Sequence, residues 1–377
     1  MAMRSVVEAQ NSLETALRLH YAPLRENAIT SRRNHLAETL KIVIPMAGWG
    51  TRMRPHTWSK PKPLISVAGK TSFEHLMDLF ETLPEPDRVE YVFIVGPYLG
   101  ETQIPAFVEK RYPDITAHFV VQGEMKGQSH ALYLARQYLT GPMLMIFSDT
   151  LIETDFSFLD REKSNGVAWV QAVPDPRRFG VAEVNEEGWV KRFIEKPQTV
   201  ENNLAVVGCY YFKSGENLMA AIEEQMQRNV QLKNEYFLVD AINIMIEHGA
   251  LMRVEEIDTW LDTGTIDATL QTNEFLLKRI DAEPEERPGV KILPPVFIHP
   301  TAEVSEAVIG PNSSIGPNCK ISQAVIQDSI IEEGAQITRA ALTHSLIGCN
   351  CVVEGQPNKE EASSLNIGDN SEVRFEA

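Results

Sequence analysis

The chain has 377 residues, of which 43% are hydrophobic and 23% charged, and a formal net charge of -17 at pH 7. That length exceeds one ordinary core and predicts two domains, while the negative balance excludes the basic footprint that DNA or RNA binding needs. No apolar run reaches the ~18 residues of a membrane span, and Glu8 and Glu14 stand where a secretory signal would need its apolar core. A cytoplasmic protein without membrane or nucleic-acid partners is expected.

Residues 1–40 are polar, with Val6, Val7, Leu13, Leu17 and Leu24 spaced for amphipathic helices broken near Pro23. They read as an N-terminal helical extension. From Lys41 to about Leu277, short apolar runs alternate with helical patterns. "KIVIP" is a buried strand, and Ser72 would cap a helix through "FEHLMDLFETL". "YVFIV", a helix over about 101–111, "ITAHFVV", a helix from about Ser129 and "MLMIFSD" continue the theme. The order predicts a mostly parallel sheet covered on both faces, with ligands at the C-terminal ends of its strands. A hairpin in "VAEVNEEGWVKRFIEKP", the strand "VVGCYYF" and helices over 215–228 and 237–247 complete a domain spanning 41–280.

"DAEPEERPG", 281–289, is a proline-marked linker, and beyond it the period changes. Large aliphatics fall at Ile298, Val304, Ile309, Ile315, Ile321, Ile326, Ile331, Ile337, Leu342, Ile347 and Val353, and again at Ile367 and Val373. One aliphatic per hexapeptide means one inward side chain per short strand, so 291–377 reads as a hexapeptide-repeat β-helix. Its open ends and flat faces predict a homo-oligomer joined through this domain. Cys209, Cys319, Cys349 and Cys351 have neither zinc nor disulfide-dense spacing and read as reduced buried thiols. His56, His75, His130 and His248 match no ligand spacing and read as structural.

Between Thr39 and Phe73 this acidic chain carries no acid at all, yet it holds Arg52, Arg54, Lys60 and Lys62. The strand before them turns through Ala47-Gly48-Trp49-Gly50, and glycines there let backbone N–H groups face an anion without a Cβ in the way. A triphosphate is the guest this pattern suits. The Gly-Lys-Ser/Thr ending of a P-loop is absent, and no G-x-G-x-x-G follows, which disfavours a dinucleotide fold.

The complete string, Gly48-x-Gly50-Thr51-Arg52, Pro55, Thr57 and Pro61-Lys62-Pro63-Leu64, resembles the signature of the sugar-1-phosphate nucleotidyltransferases, also called nucleotide-sugar pyrophosphorylases. That signature reads roughly G-x-G-T-R-x-x-P-x-T-x-x-x-P-K-P-L, and every fixed position matches. The resemblance implies an α/β fold, a Rossmann-like mostly parallel sheet with a C-terminal left-handed β-helix. It implies nucleotide contacts from Ala47, Gly48, Gly50, Thr51, Arg52 and Lys62, and, in "QGEMKGQSHAL", from Gln122 and Gly127 to the base. The sugar phosphate would meet Phe179 and Gly180 of "RFGVAEV", Glu195 and Lys196 of "FIEKP", Gly208 of "VVGCYYF" and Trp260 of "WLDTGT". Asp149 of "FSDT" and Asp262 would hold Mg²⁺, a hard cation suited to oxygen ligands. Taken singly, Asp149 reads as a helix cap, Asp262 as part of a turn and Glu195-Lys196 as a solvated strand end. Their order along the chain carries the resemblance.

The implied reaction is attack of a sugar 1-phosphate oxygen on the α-phosphorus of a nucleoside triphosphate, releasing pyrophosphate. Unit charges about 4 Å apart repel by roughly 4 kcal/mol at an effective dielectric of 20, so two polyanions meet only where cations are concentrated. The nucleophile is already an oxyanion, and catalysis becomes positioning and charge stabilisation. Arg52 would grip the departing pyrophosphate, Lys62 the α-phosphate and Lys196 the attacking phosphate. A pyrimidine triphosphate, dTTP or UTP, with glucose 1-phosphate is the expected pair, and GTP with mannose 1-phosphate the alternative. A non-catalytic nucleotide-sugar-binding subunit would be expected to have lost one of Arg52, Lys62, Asp149, Lys196 or Asp262. An acyltransferase in the β-helix would have only His299 and His344 as bases.

Overall fold

The computed structural model describes residues 38–280, 286–355 and 362–375. The helical extension expected before residue 41 therefore lies outside the described residues, apart from its last three.

The first strand, β1 (Leu40–Met46), is apolar at nearly every position because both its faces are covered. Val43 packs into the core on one side of the sheet, and Ile42 and Ile44 into the core on the other. After β1 come the short hairpin strands β2 (Ser66–Val67) and β3 (Lys70–Thr71), then β4 (Val89–Val95), β5 (Thr116–Val121) and β6 (Met143–Ile146). β5, β4, β1 and β6 lie side by side and parallel, as expected of strands separated by helices. Helix α1 (Ser72–Asp78) begins one residue earlier than the sequence pattern suggested. Its cap is Thr71, whose hydroxyl accepts from the Glu74 N–H while Glu74 reaches back to the Thr71 N–H, a capping box that Ser72 could not form from inside the helix. α2 (Leu99–Arg111) and α3 (Gln128–Leu134) follow.

The second half turns antiparallel. β7 (Thr150–Ile152) leaves the sheet, β8 (Gly166–Ala172) rejoins it, and β9 (Gly180–Val184) and β10 (Val190–Glu195) form the expected hairpin. The long strand β11 (Leu204–Phe212) runs antiparallel to β6 over Cys209–Phe212 but meets β9 at Ala205. Its register shifts between Val206 and Tyr210 where it pairs with β8. Gly208 sits at that bend with φ +87°, and a Cβ there would lie 2.3 Å from the Phe147 ring. The bend separates β6 from β9 along β11, and Gly180, Val206, Val207 and Gly208 line a cavity there. Helices α4 (Gly215–Gln227) and α5 (Leu238–Glu247) cover one face, β12 (Met252–Glu256) extends the sheet beside β8, and β13 (Trp260–Asp262) pairs with β7 before α6 (Ile266–Leu277).

Beyond residue 289 the chain winds into three parallel sheets of four, five and five short strands. The aliphatics spotted at hexapeptide spacing stack in columns: Ile309 on Ile326 on Leu342, and Val304 on Ile321 on Ile337 on Val353 on Val373. The inner members of each column are fully buried. Asn312, Asn318, Asn350 and Asn370 take left-handed backbone conformations at the corners, which asparagine tolerates better than most residues. The β-helix and the sheet belong to one compact unit.

Candidate active site

Two cavities of about 420 Å³ each open at the C-terminal ends of β1 and β6. All eight residues assigned to the nucleotide line the first: Ala47, Gly48, Gly50, Thr51, Arg52, Lys62, Gln122 and Gly127. The glycine loop is held from behind, since the Thr57 hydroxyl donates to the Gly50 carbonyl at 2.9 Å. Gly50 is left-handed, at φ +57°, and a Cβ there would press on the Thr57 and Lys62 side chains at 2.8 and 3.3 Å. Glycine at this position therefore lets Lys62 pass beneath the loop. Gln122 is 5% exposed; its amide donates to the Gly127 carbonyl at 3.2 Å, which fixes it at the cavity's far end.

Phe179, Gly180, Glu195, Gly208 and Trp260 line the second cavity, with Asp262. The Phe179 and Trp260 rings meet edge to face with centroids 5.0 Å apart, giving this cavity an apolar wall. Lys196 is the exception. It does not line the cavity but stands at its rim, 3.3 Å from Glu195 and 4.9 Å above the Phe237 ring, with its side chain 47% exposed. The role expected for it, a grip on the attacking phosphate, would need the side chain to swing inward.

Arg52, Gln128, Phe147 and Asp149 border both cavities, so the two form one bipartite site. Far apart in sequence, Asp149 and Asp262 are brought together by β7 and β13, whose register pairs Thr150 with Asp262. The Thr263 N–H then donates to the Asp149 carbonyl at 3.3 Å. One oxygen of Asp149 accepts from the Lys62 ammonium at 2.5 Å, and one oxygen of Asp262 from the Gly264 N–H at 2.6 Å. The second oxygen of each carboxylate has no hydrogen-bond partner among the described residues, and a pair of hard oxygen donors so placed fits a divalent cation. Nearby, burial and the Glu195 carboxylate push the Asp240 carboxyl above its ordinary range.

Not every cation of the acid-free window serves this site. Lys60 turns away from the cavities into the β-helix, where Glu332 and Asp369 take its charge. His56 is also buried, with Nε2 2.6 Å from Asn366 Oδ1. Sequence reasoning passed over Gln128 and Arg178, although each adjoins a residue it chose. Gln128 Oε1 is buried without a partner where the two cavities meet, and Arg178 lines the second cavity. The supposed acyltransferase bases are engaged elsewhere, His299 with Thr301 at 2.9 Å and His344 with Asp267 at 3.1 Å.

Residues 41–279 match the nucleotidyl transferase family over more than half of the chain, and residues 292–374 match the GMPPB C-terminal domain. The chain belongs to the nucleotidyl transferase family. Its resemblance to the sugar-1-phosphate nucleotidyltransferases is borne out by its relatives. A glucose-1-phosphate thymidylyltransferase of Streptomyces antibioticus is 28% identical over 90% of this chain and 100% of its own length. The low-salt glycan biosynthesis nucleotidyltransferase Agl11 of Haloferax volcanii is 27% identical over 89% of this chain and 100% of its own length. The bifunctional protein GlmU of Methanococcus vannielii is 32% identical, over 64% of this chain and 56% of its own length. Among solved structures, a putative glucose-1-phosphate thymidylyltransferase from Bacillus anthracis superposes with a TM-score of 0.54 at 20% identity, covering 65% of this chain and 98% of the other. That likeness speaks to the fold. Among the described residues no helix is long and apolar enough to cross a membrane.

Proposed function

We propose that this transferase joins a nucleoside triphosphate to a sugar 1-phosphate and releases pyrophosphate, with dTTP or UTP and glucose 1-phosphate as substrates. The observation that carries the reading is the meeting of two cavities of similar size at Arg52 and Asp149, with Lys62 beside them. A base held at Gln122 would leave its triphosphate over the glycine loop, and a sugar against Trp260 would point its phosphate toward the same junction. There Arg52 binds the leaving pyrophosphate, Lys62 stabilises charge on the α-phosphate, and Lys196 draws in the attacking oxygen. Asp149 and Asp262 would hold Mg²⁺, which would supply positive charge against the phosphates.

The relatives named as glucose-1-phosphate thymidylyltransferases support the glucose reading. A second reading, GTP with mannose 1-phosphate, is favoured by the match of the β-helix to the GMPPB C-terminal domain. The Gln122 amide both donates and accepts, and so suits either base. Pyrophosphate release measured with Mg²⁺ for dTTP, UTP, GTP, ATP and CTP, each with glucose and mannose 1-phosphates, tests both. Turnover with dTTP or UTP and glucose 1-phosphate is expected; turnover only with GTP and mannose 1-phosphate would replace the first reading by the second. Silence from folded protein that still binds a nucleotide would refute both substrate pairs and favour a regulatory subunit or a different sugar 1-phosphate. A cytoplasmic location and a homo-oligomer joined through the β-helix belong to the same proposal, the latter checked by light scattering.

A further inference from the structure

We propose that Glu332 and Asp369 of the β-helix, acting through Lys60, are positioning residues for the catalytic lysine Lys62. The inference rests on the transferase reading above.

Glu332 is the central observation. Its side chain is 1% exposed, in the interior between the β-helix and the cationic loop. One carboxylate oxygen accepts from the Lys60 ammonium at 2.6 Å, and the other from the Ser66 backbone N–H at 3.0 Å. A single carboxylate therefore holds the chain just before and just after Lys62. Between those two points little freedom is left. Pro61 and Pro63 have their φ angles set by their rings, and the Leu64 and Ile65 N–H groups close a tight turn onto the Pro61 and Lys62 carbonyls at 3.0 and 3.1 Å. The Lys62 ammonium then emerges in the cavity beside Asp149.

A second carboxylate supports the first. Asp369 accepts from the Ser59 hydroxyl at 2.7 Å and from the Cys349 N–H at 2.8 Å, and lies 3.2 Å from the Lys60 ammonium. The same loop buries Met53 and Ile65 against Ile330 and Leu346 of the β-helix. Both the charged and the apolar anchors of this loop thus come from the last coils of the solenoid, and those coils form part of the framework of the active site.

His56, Glu332 and Asp369 also offer donor atoms within 4.8 Å of one another, an arrangement that could hold a metal. The cation already among them is the Lys60 ammonium. Burial by itself would lower the pKa of Lys60, but the adjoining acidic groups, Glu332 foremost, raise it well above the ordinary lysine value and keep it charged. The lysine takes the place of a metal and, unlike a metal, is covalently continuous with the catalytic loop.

The test uses the full chain and three variants. Glu332→Gln keeps the size and the acceptor for Ser66 but removes the charge that holds Lys60. Ile337→Ala weakens the β-helix core in a different sheet and outside the cluster that meets the loop, and serves as the stability control. Glu332→Asp keeps the charge with a shorter reach. A misplaced catalytic group costs up to about 100-fold in rate, so Glu332→Gln is expected to lower kcat for pyrophosphate release by about 10- to 100-fold, with KM for the triphosphate changed less than about threefold. Glu332→Asp should recover part of that loss, and Ile337→Ala should lower the melting temperature with kcat unchanged. Hydrogen exchange of peptides covering residues 59–66 reads the same contact without turnover, and faster exchange in Glu332→Gln is expected even if no substrate pair proves active. Wild-type kcat in Glu332→Gln, a kcat loss in Ile337→Ala as large as in Glu332→Gln, or unaltered exchange of 59–66 would each overturn the proposal. So would one equivalent of zinc retained by the wild type and lost in Glu332→Gln.

Discussion

Replacing Lys60 with methionine tests how the sheet and the β-helix are joined. The variant keeps most of the stem and removes the ammonium, which lies 2.6 Å from Glu332 and 3.2 Å from Asp369. The two carboxylates do not suffer equally. Asp369 retains the Ser59 hydroxyl and the Cys349 N–H. Glu332, 1% exposed, retains only the Ser66 N–H. An exposed ion pair is worth about 0–1 kcal/mol, whereas removing one partner of a buried pair costs about 3–5 kcal/mol because a charge is stranded without water. With Lys60 10% exposed and Glu332 1%, the buried case applies. Lys60→Met is therefore expected to lose about 3–5 kcal/mol of unfolding free energy at pH 7, read from guanidinium titrations followed by tryptophan fluorescence. Adding Glu332→Gln to it should recover most of the loss, since the stranded charge is then gone. A loss under about 1 kcal/mol for the single variant would refute the reasoning, because it would mean that water reaches the pair.

Other consequences are equally direct. Lys62→Ala removes the ammonium beside Asp149; turnover should fall about 10²- to 10³-fold with the circular dichroism spectrum unchanged, and near-normal rates would refute its role. Gly208→Ala would place a methyl group 2.3 Å from the Phe147 ring at a left-handed position, so KM for the sugar 1-phosphate should rise more than KM for the triphosphate. Burial pushes the imidazoles of His56 and His75 below the ordinary 6.5. As pH falls, the unfolded chain takes up these protons first, so stability should decline below about pH 6.5 toward the folded-state values and be insensitive to these groups above it. His75→Gln should flatten that decline, and an unaltered slope in denaturant titrations at pH 7 and 5.5 would count against it.

Much of the fold was legible because its strands are local events. The alternation of apolar runs and helical patterns is written in adjacent residues, and the β-helix repeats one aliphatic per short strand until chance is excluded. The cap of α1 is Thr71 rather than the expected Ser72, one residue away, because both are good caps. Glu74 decides between them, since only Thr71 stands at the spacing for reciprocal bonding. Asp149 and Asp262 could be named from their motifs, but their adjacency arises from pairing between β7 and β13, a contact across more than a hundred residues that no local pattern encodes.

The sequence by itself determined which groups are present: a glycine turn, a run of cations, two widely separated aspartates, and a solenoid built from hexapeptides. Its residue types and spacings are enough for that, because turn geometry, charge and side-chain period act over a few residues. Tertiary structure alone decided where each charge goes. Lys60 and Lys62 are two residues apart in one cationic run, yet one is buried against β-helix carboxylates and the other faces the cavity. Burial and electrostatic pairing depend on what the rest of the chain brings alongside, and that is fixed only when the sheet and the β-helix have packed.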